Sequence, residues 1–321
     1  VGRNWAGTIS FSSASGTVAG LSNVGGLVGQ SADSITDSNA SGSVSGTEKV
    51  GGLVGYALGN ADISNSHAIG AVTGGGSYVG GLVGYNSGQI ISNSYASGVV
   101  TGLNYVGGLA GMSNNGSFDS SYATGNVMGS GDRIGGLIGG TAGGGVTVIN
   151  SSATGDVTGS TMVGGLIGFL GFNSIIISNH ASGAVNGQYD VGGLIGKNWK
   201  ATITDSYASG DVNGFWYVGG LVGSNNYGTV DASYAIGSAS GTINFVGGLV
   251  GYNLKSHIAN SYASGAVLGG GDHVGGLAGA SSINSVIENS YATGGVTGSS
   301  LSTGGLVGTN GGLISSSYWD T

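Results

Sequence analysis

The chain has no cysteine and no proline, and only 6% of its 321 residues are charged. The first absence excludes disulfides and any cysteine-bound zinc, haem or iron–sulfur centre. The second excludes collagen and proline-rich linkers, although glycine supplies 74 residues. Six basic residues (Arg3, Lys49, Arg133, Lys197, Lys200 and Lys255) are scattered over the whole length, against fourteen acidic ones, for a net charge of −8. Neutralising phosphates takes a clustered basic footprint, so nucleic acid is not an expected partner. No apolar run approaches the roughly 18 residues of a membrane-crossing helix, so no transmembrane segment is expected. No signal-peptide pattern opens the chain and residue 1 is Val, which reads as a processed product or a piece of something longer.

What is present favours strands. Glycine weakens a helix by about 1 kcal/mol per residue relative to alanine. The residues between the glycines are mostly Val, Ile, Leu, Ser, Thr, Asn and Tyr, the vocabulary of strands and turns. Apolar residues make up 39% and fall in register, so an ordered fold is expected despite the sparse charge.

The chain is organised around Val79-Gly80-Gly81-Leu82-Val83-Gly84, which recurs, nearly letter for letter, eleven times. Its Gly-Gly-Leu cores begin at Gly25, Gly51, Gly80, Gly107, Gly135, Gly164, Gly192, Gly219, Gly247, Gly275 and Gly304, at spacings of 26 to 29 residues. Such a period marks a stacked-repeat architecture. Each repeat carries three extended segments: the core, a run into Asn-Ser-Tyr-Ala as in Ile91 to Ala96, and a short one such as Val99-Val100-Thr101. Gly98 and Gly102 have counterparts in every complete repeat and read as corners where positive φ is needed. The expected fold is all-β: a parallel β-helix (β-solenoid) with three short strands per coil and about eleven coils of roughly 28 residues. A leucine-rich repeat lacks its Leu-x-x-Leu-x-Leu pattern here, and propeller blades need longer repeats. A single repeat domain covers 1–321, with a part-coil over 1–23 and eleven GGLxG repeats from 24 on, the last incomplete. Coils at about 4.8 Å each give a rod on the order of 50 Å long.

Stacking turns like letters into columns. Leucine holds the core column from Leu27 to Leu306. Strict alternation would send Leu82 to the face opposite Val79 and Val83. Either the double glycine bends the strand so that all three point inward, which is favoured, or the sheet is covered on both sides. Asp37, Asn65, Asn93, Asn150, Asp205, Asn260 and Asn289 form a polar column, read as a ladder of amides bonding the turns above and below. A serine column lies beside it (Ser38, Ser66, Ser94 and so on to Ser317), interrupted by Asn179. Next comes an aromatic column: Tyr95, Tyr122, Tyr207, Tyr234, Tyr262, Tyr291 and Tyr318, with His67 and His180 in the same slot. Rings one coil apart fall within stacking range, and such a strip offers a surface for polysaccharide. Alanine follows at Ala96, Ala123, Ala208 and Ala235, suited to a tight interior corner.

The Gly-Leu-Val-Gly core, followed by Ser-Tyr-Ala-Ser/Thr-Gly and Val-Thr-Gly, resembles the GLUG repeat family of bacterial surface proteins. The likeness spans essentially the whole chain and extends to the closing Ser317-Tyr318-Trp319-Asp320-Thr321. It implies extracellular or cell-surface display and a structural or adhesive role. The repeat of that family carries no catalytic residues, so none are assigned, and a fold by itself does not fix function.

Residues able to do chemistry are few. His67, His180, His257 and His273 lie in different coils without ligand spacing, and Gly269-Gly270-Gly271-Asp272-His273 is a single partial match to a calcium-binding nonapeptide. Asp205 and Asp231 fall near equivalent positions in adjacent coils, yet no arginine or histidine accompanies them. Gly-Gly-Leu-Val-Gly without Lys-Ser/Thr is no phosphate loop. No enzyme activity, metal or cofactor is therefore expected. One feature departs from the repeat: Phe215-Trp216-Tyr217 stands where other coils are polar, either a contact patch or a cluster folded over the neighbouring coil.

The expected function is that of a non-enzymatic extracellular structural protein. It would serve as a rigid adhesin shaft or spacer, or as a filament subunit stacking end to end through uncapped terminal coils. The alternative is a carbohydrate-binding module for a host or matrix glycan, using the aromatic loop and the tyrosine strip. Ice binding would need a regular outward threonine array, and Thr73, Thr101, Met128, Thr158, Asn186 and Asn213 are too ragged for it.

Overall fold

The computed structural model describes residues 1–299 and 301–320; Ser300 and Thr321, the last residue of the closing motif, lie outside them. All regular structure among the described residues is β. Strands pair parallel from coil to coil, as in Val50↔Val79 and Tyr291↔Tyr318, building the β-solenoid that the period predicts. The three extended segments of each repeat are present, but corners divide two of them. Residues 77–102 show the pattern: Ser77–Gly80, Val83–Asn86, Ile90–Ser92, Tyr95–Ala96 and Val100–Gly102. Each such coil contributes five strands, not three, to four stacked sheets. Three sheets have twelve strands each, the first holding Val83–Asn86, the second Ile90–Ser92 and the third Tyr95–Ala96, and the fourth has twenty because it takes both Val100–Gly102 and the next coil's Asn104–Gly107.

The bend at Gly-Gly-Leu is the corner between the fourth sheet and the first. It turns all three apolar residues inward, but into two cores. Leu82 and Val83 join Ile91 and Ala96 in a main core that runs the length of the rod. Val79 joins Val72 and Val100 in a second, all-aliphatic core enclosed by the fourth sheet. Leucine is buried in ten coils and half-buried at Leu306, in the last one. Fully burying such a side chain is worth about 1.5–3 kcal/mol, so the column alone supplies much of the drive to stack.

The corner glycines serve close approach, not positive φ as the sequence suggests. A Cβ on Gly98 would strike the carbonyl of Gly70 in the coil before, and one on Gly102 would lie 2.8 Å from Val106 Cγ2. Positive φ is confined among glycines to Gly7, Gly59, Gly88, Gly143 and Gly145. At the repeated corners the left-handed conformation falls to other residues. The polar column adopts it throughout, with φ of 49° at Asp37, 50° at Asn65, 48° at Asn93 and 52° at Asn150. Asn and Asp tolerate that region best among residues with a Cβ, which explains the letters in this column.

Amide-to-neighbour contacts along that column are intermittent. Asn65 Nδ2 donates to Asp37 Oδ1 at 3.3 Å, and Asn289 Nδ2 to Asn260 Oδ1 at 3.4 Å. The continuous ladder belongs to the serines beside it. Each buried serine N–H donates to the Oγ of the next coil's serine, as from Ser38 to Ser66 to Ser94 to Ser121 at 3.1 to 3.2 Å. Each hydroxyl in turn donates to the carbonyl two residues back, Ser66 Oγ to Ser64 O at 2.8 Å. Asn179 preserves the ladder: its Oδ1 accepts from Ser151 N at 2.8 Å, and its Nδ2 donates to Val148 O and Ile177 O. A buried N–H left without its partner costs about 1–3 kcal/mol, so the column is as much a register device as a source of stability.

A second buried ladder is made of asparagines. Asn198 Nδ2 donates to Asn225 Oδ1 at 2.8 Å and Asn225 Nδ2 to Asn253 Oδ1 at 3.0 Å. All three are fully buried. At the C-terminal face, Trp319 replaces the alanine that pairs in register below it, Ala292. Its ring lies over Gly305, where the next coil's carbonyl lies at other glycines of that column, and its Nε1 donates to Gly294 O at 3.2 Å.

Candidate functional site: an aromatic seam

Two outward columns meet along the corner between the fourth and first sheets. One is the residue just before the core valine: Lys49, Tyr78, Tyr105, Arg133, Met162, Asp190, Tyr217, Phe245 and His273 in successive coils. All of these adopt left-handed φ, from 50° at Asp190 to 67° at Tyr78. None is β-branched, as that conformation requires. The other column is the third residue of the next strand, running Tyr56, Tyr85, Met112, Gly140, Phe169, Lys197, Ser224, Tyr252, Ala280 and Thr309. A left-handed residue costs of order 1–3 kcal/mol. Contacts across the seam offset that cost.

Near the N-terminal end the contacts are aromatic and cationic. Lys49 Nζ lies 4.6 Å from the Tyr56 ring centroid, and Tyr78 packs on Tyr85 and Tyr105 at 5.3 and 5.0 Å. The Arg133 guanidinium sits between Tyr105 and Phe169, 4.6 and 4.8 Å from their centroids, and donates to Tyr105 Oη. Burial lowers the pKa of that guanidinium and raises that of the Asp132 carboxyl beside it. In the middle the seam turns polar. Asp190 is nearly buried, accepts from Ser224 Oγ at 2.5 Å, and has Lys197 Nζ at 3.4 Å.

The C-terminal part is aromatic again. Tyr217 stacks on Phe245 at 5.0 Å, Phe245 packs on Tyr252 at 5.3 Å and on His273 at 4.5 Å, and His273 Nδ1 lies 2.7 Å from Thr309 Oγ1. Burial raises the pKa of the Tyr217 phenol. One coil beyond Tyr252 the column shrinks to Ala280. The step leaves an open cleft of about 410 Å³, lined by Phe245, Tyr252, Lys255, His273, Ile283 and Asn310. Ring walls with a polar rim suit a ligand that has one apolar face and several hydroxyls.

The structure keeps Trp216 and Tyr217 together, their ring centroids 6.2 Å apart, and sets Phe215 apart from them. Tyr217 belongs to the seam, and Trp216 is half-buried, 6.4 Å from Phe245. Phe215 stays 43% exposed and lines a shallow depression with Asn186, Asn213 and Thr242. The tyrosine column forms parallel stacks on the third sheet, with ring centroids 5.0 Å apart from Tyr95 to Tyr122 and 4.9 Å from Tyr207 to Tyr234. Within a stack the ring faces are occupied by one another, so solvent meets mostly ring edges.

The charged groups raised by the sequence do not converge. Asp231 pairs in register with Thr204, one position away from Asp205, and accepts from Asn260 Nδ2 at 2.8 Å. His257 lies 3.0 Å from Glu288, while His67 and His180 are stacked in the ring column. Among the described residues no three His, Asp or Glu side chains form a group that could hold a metal. No helix among them is long and apolar enough to cross a membrane.

The seam escaped sequence reading because both its columns vary in letter from coil to coil. The available signal was their enrichment in rings and cations together with the lack of β-branched residues before the core valine.

The model of the GLUG motif matches the chain at residues 20–45, 46–73, 75–101, 187–213 and 246–268. No curated protein and no solved structure matches it.

Proposed function

From a chain that carries GLUG repeats stacked as a β-solenoid, we propose a rigid, non-enzymatic shaft or spacer displayed outside the cell. The observation that carries this reading is the continuous ladder of serines, with Asn179 as one rung, which locks every coil to the next from Ser12 to Ser317. A rod tied by backbone pairing on four sheets and by a buried side-chain file has no hinge among those coils. The proposal is therefore mechanical: the protein holds something at a fixed distance. Electron microscopy of the purified chain should show discrete straight rods on the order of 50 Å long. Antibody against the chain should label intact, unpermeabilised source cells. Bent or beaded particles would sink the shaft, and labelling only after permeabilisation would sink the display. Fibres that lengthen with concentration would shift the reading to a filament subunit.

A second reading, a glycan-contact module, is favoured by the cleft beside Tyr252. Sugar rings present an apolar C–H face and a hydroxyl rim, and the cleft offers Tyr252, Phe245 and His273 with Lys255 and Asn310 at its edge. On a glycan array, binding should appear and fall at least about tenfold with Tyr252→Ala, the equivalent of about 1.4 kcal/mol. Silence across the array, or binding that Tyr252→Ala leaves intact, would remove this reading and leave the shaft untouched.

A further inference from the structure

The ring column of the third sheet is broken at a single interior rung. On one side His67, Tyr95 and Tyr122 stack at 4.7 and 5.0 Å with planes within 2°. On the other, His180, Tyr207, Tyr234, Tyr262, Tyr291 and Tyr318 stack at 4.9 to 5.3 Å with planes within 6°. Ser152 stands between the two stacks, paired in register with Tyr122 below and His180 above. The backbone does not slip there: Ser152 N donates to Ser121 O at 3.1 Å and His180 N to Ser151 O at 3.2 Å.

The rings of Tyr122 and His180 therefore stand two rungs apart, about 10 Å along the rod, with one ring missing from between them. Exposure records the vacancy. Tyr122 is 41% exposed, whereas Tyr95, Tyr207, Tyr234, Tyr262 and Tyr291 are all half-buried. Burial lowers the pKa of the His180 imidazole, so at neutral pH the upper wall is an uncharged ring. The adjoining sheet changes character in the same two coils. Its outward column runs Asp119, Ile149, Ile177, Thr204, and the two isoleucines replace the polar residues or alanine found at this position in other coils.

We propose that this gap is a binding slot for one planar aromatic ring, a phenol or an indole, entering edge-on from solvent and stacking between Tyr122 and His180. The neighbouring rungs define the fit: a phenol already occupies the equivalent space at Tyr95 and at Tyr207, at the same spacing from its neighbours. The ring could belong to a free small molecule or to a side chain of a polypeptide, and two probes separate these sources.

The full chain is titrated with free indole and, separately, with the peptide Gly-Trp-Gly, following the ring protons of Tyr122 and His180 by nuclear magnetic resonance. Saturable upfield shifts of both rings are expected with indole. If the peptide produces them as well, the slot accepts a polypeptide side chain; if indole alone does, it is a small-molecule site. Ser152→Tyr supplies the missing ring, so it should abolish the shifts while melting no lower than the parent. Ser152→Ala keeps the slot open and should keep the binding, which guards against a folding defect in the tyrosine variant. Shifts that do not saturate, or that persist unchanged in Ser152→Tyr, would overturn the proposal.

Discussion

Gly136→Ala is expected to lower stability by about 4 kcal/mol or more, in the range reserved for named structural lesions. The added methyl would overlap the carbonyl oxygen of Gly165 in the next coil and sit 2.9 Å from Ala153 Cβ. The obstacle is backbone, which cannot swing aside as a side chain can. Relief would require separating two coils and breaking the bond from Gly136 N to Gly164 O at 3.1 Å. A solenoid's coils touch only their neighbours, so the damage should be local in space yet divide the rod into two cooperative units. Denaturant melts should show a lower midpoint and a shallower transition, and hydrogen exchange should quicken around residues 107–165. Gly295→Ala is the matched control, because nothing lies within 4 Å of a Cβ there. It should be neutral or gain up to about 1 kcal/mol through the unfolded chain. A Gly136→Ala protein that melts with the parent would refute the close-approach account of the glycine pair.

The second large effect is expected at Phe118. It is fully buried in a file otherwise made of Ile and Val, with Ile91 before it and Val148 after it. The same coil carries Ala110 where its neighbours carry Val83 and Ile138. Both residues lie in the main core, so the large ring and the small methyl trade volume within one coil. Phe118→Ala alone should cost about 3–5 kcal/mol, the transfer loss plus the cavity left behind. Combining Ala110→Val with Phe118→Ile restores the pattern of the flanking coils and should recover most of that loss, since volume-conserving exchanges cost less than about 1.5 kcal/mol. The comparison is a chemical melt of the three proteins side by side. A double variant no more stable than Phe118→Ala would mean that the two positions do not share their space.

Much of the molecule is nevertheless legible before folding. The period of Gly-Gly-Leu predicted the solenoid, and the stacked letters predicted the leucine core, the serine file and the tyrosine stacks. These are legible because a column repeats the same residue, and parallel in-register pairing places like upon like. The GLUG likeness holds at five of the repeats, while adhesion, display and partners remain proposals tested by experiments outside the fold.

Sequence alone thus determined the architecture: a period near 28 residues with a fixed glycine corner permits only flat stacking, and stacking dictates every uniform column. Tertiary structure decided what lies between columns. It divided most coils into five strands (in two, Val212–Gly219 and Ala239–Gly247 run on as one), sent Val79 and Leu82 into separate cores, and set the corner glycines against neighbouring backbone instead of in left-handed turns. It also joined Tyr217, Phe245 and Tyr252 into one seam. Those outcomes depend on where a bend aims the side chains on either side of it, and the direction of a bend is set by packing across coils, which no single repeat contains.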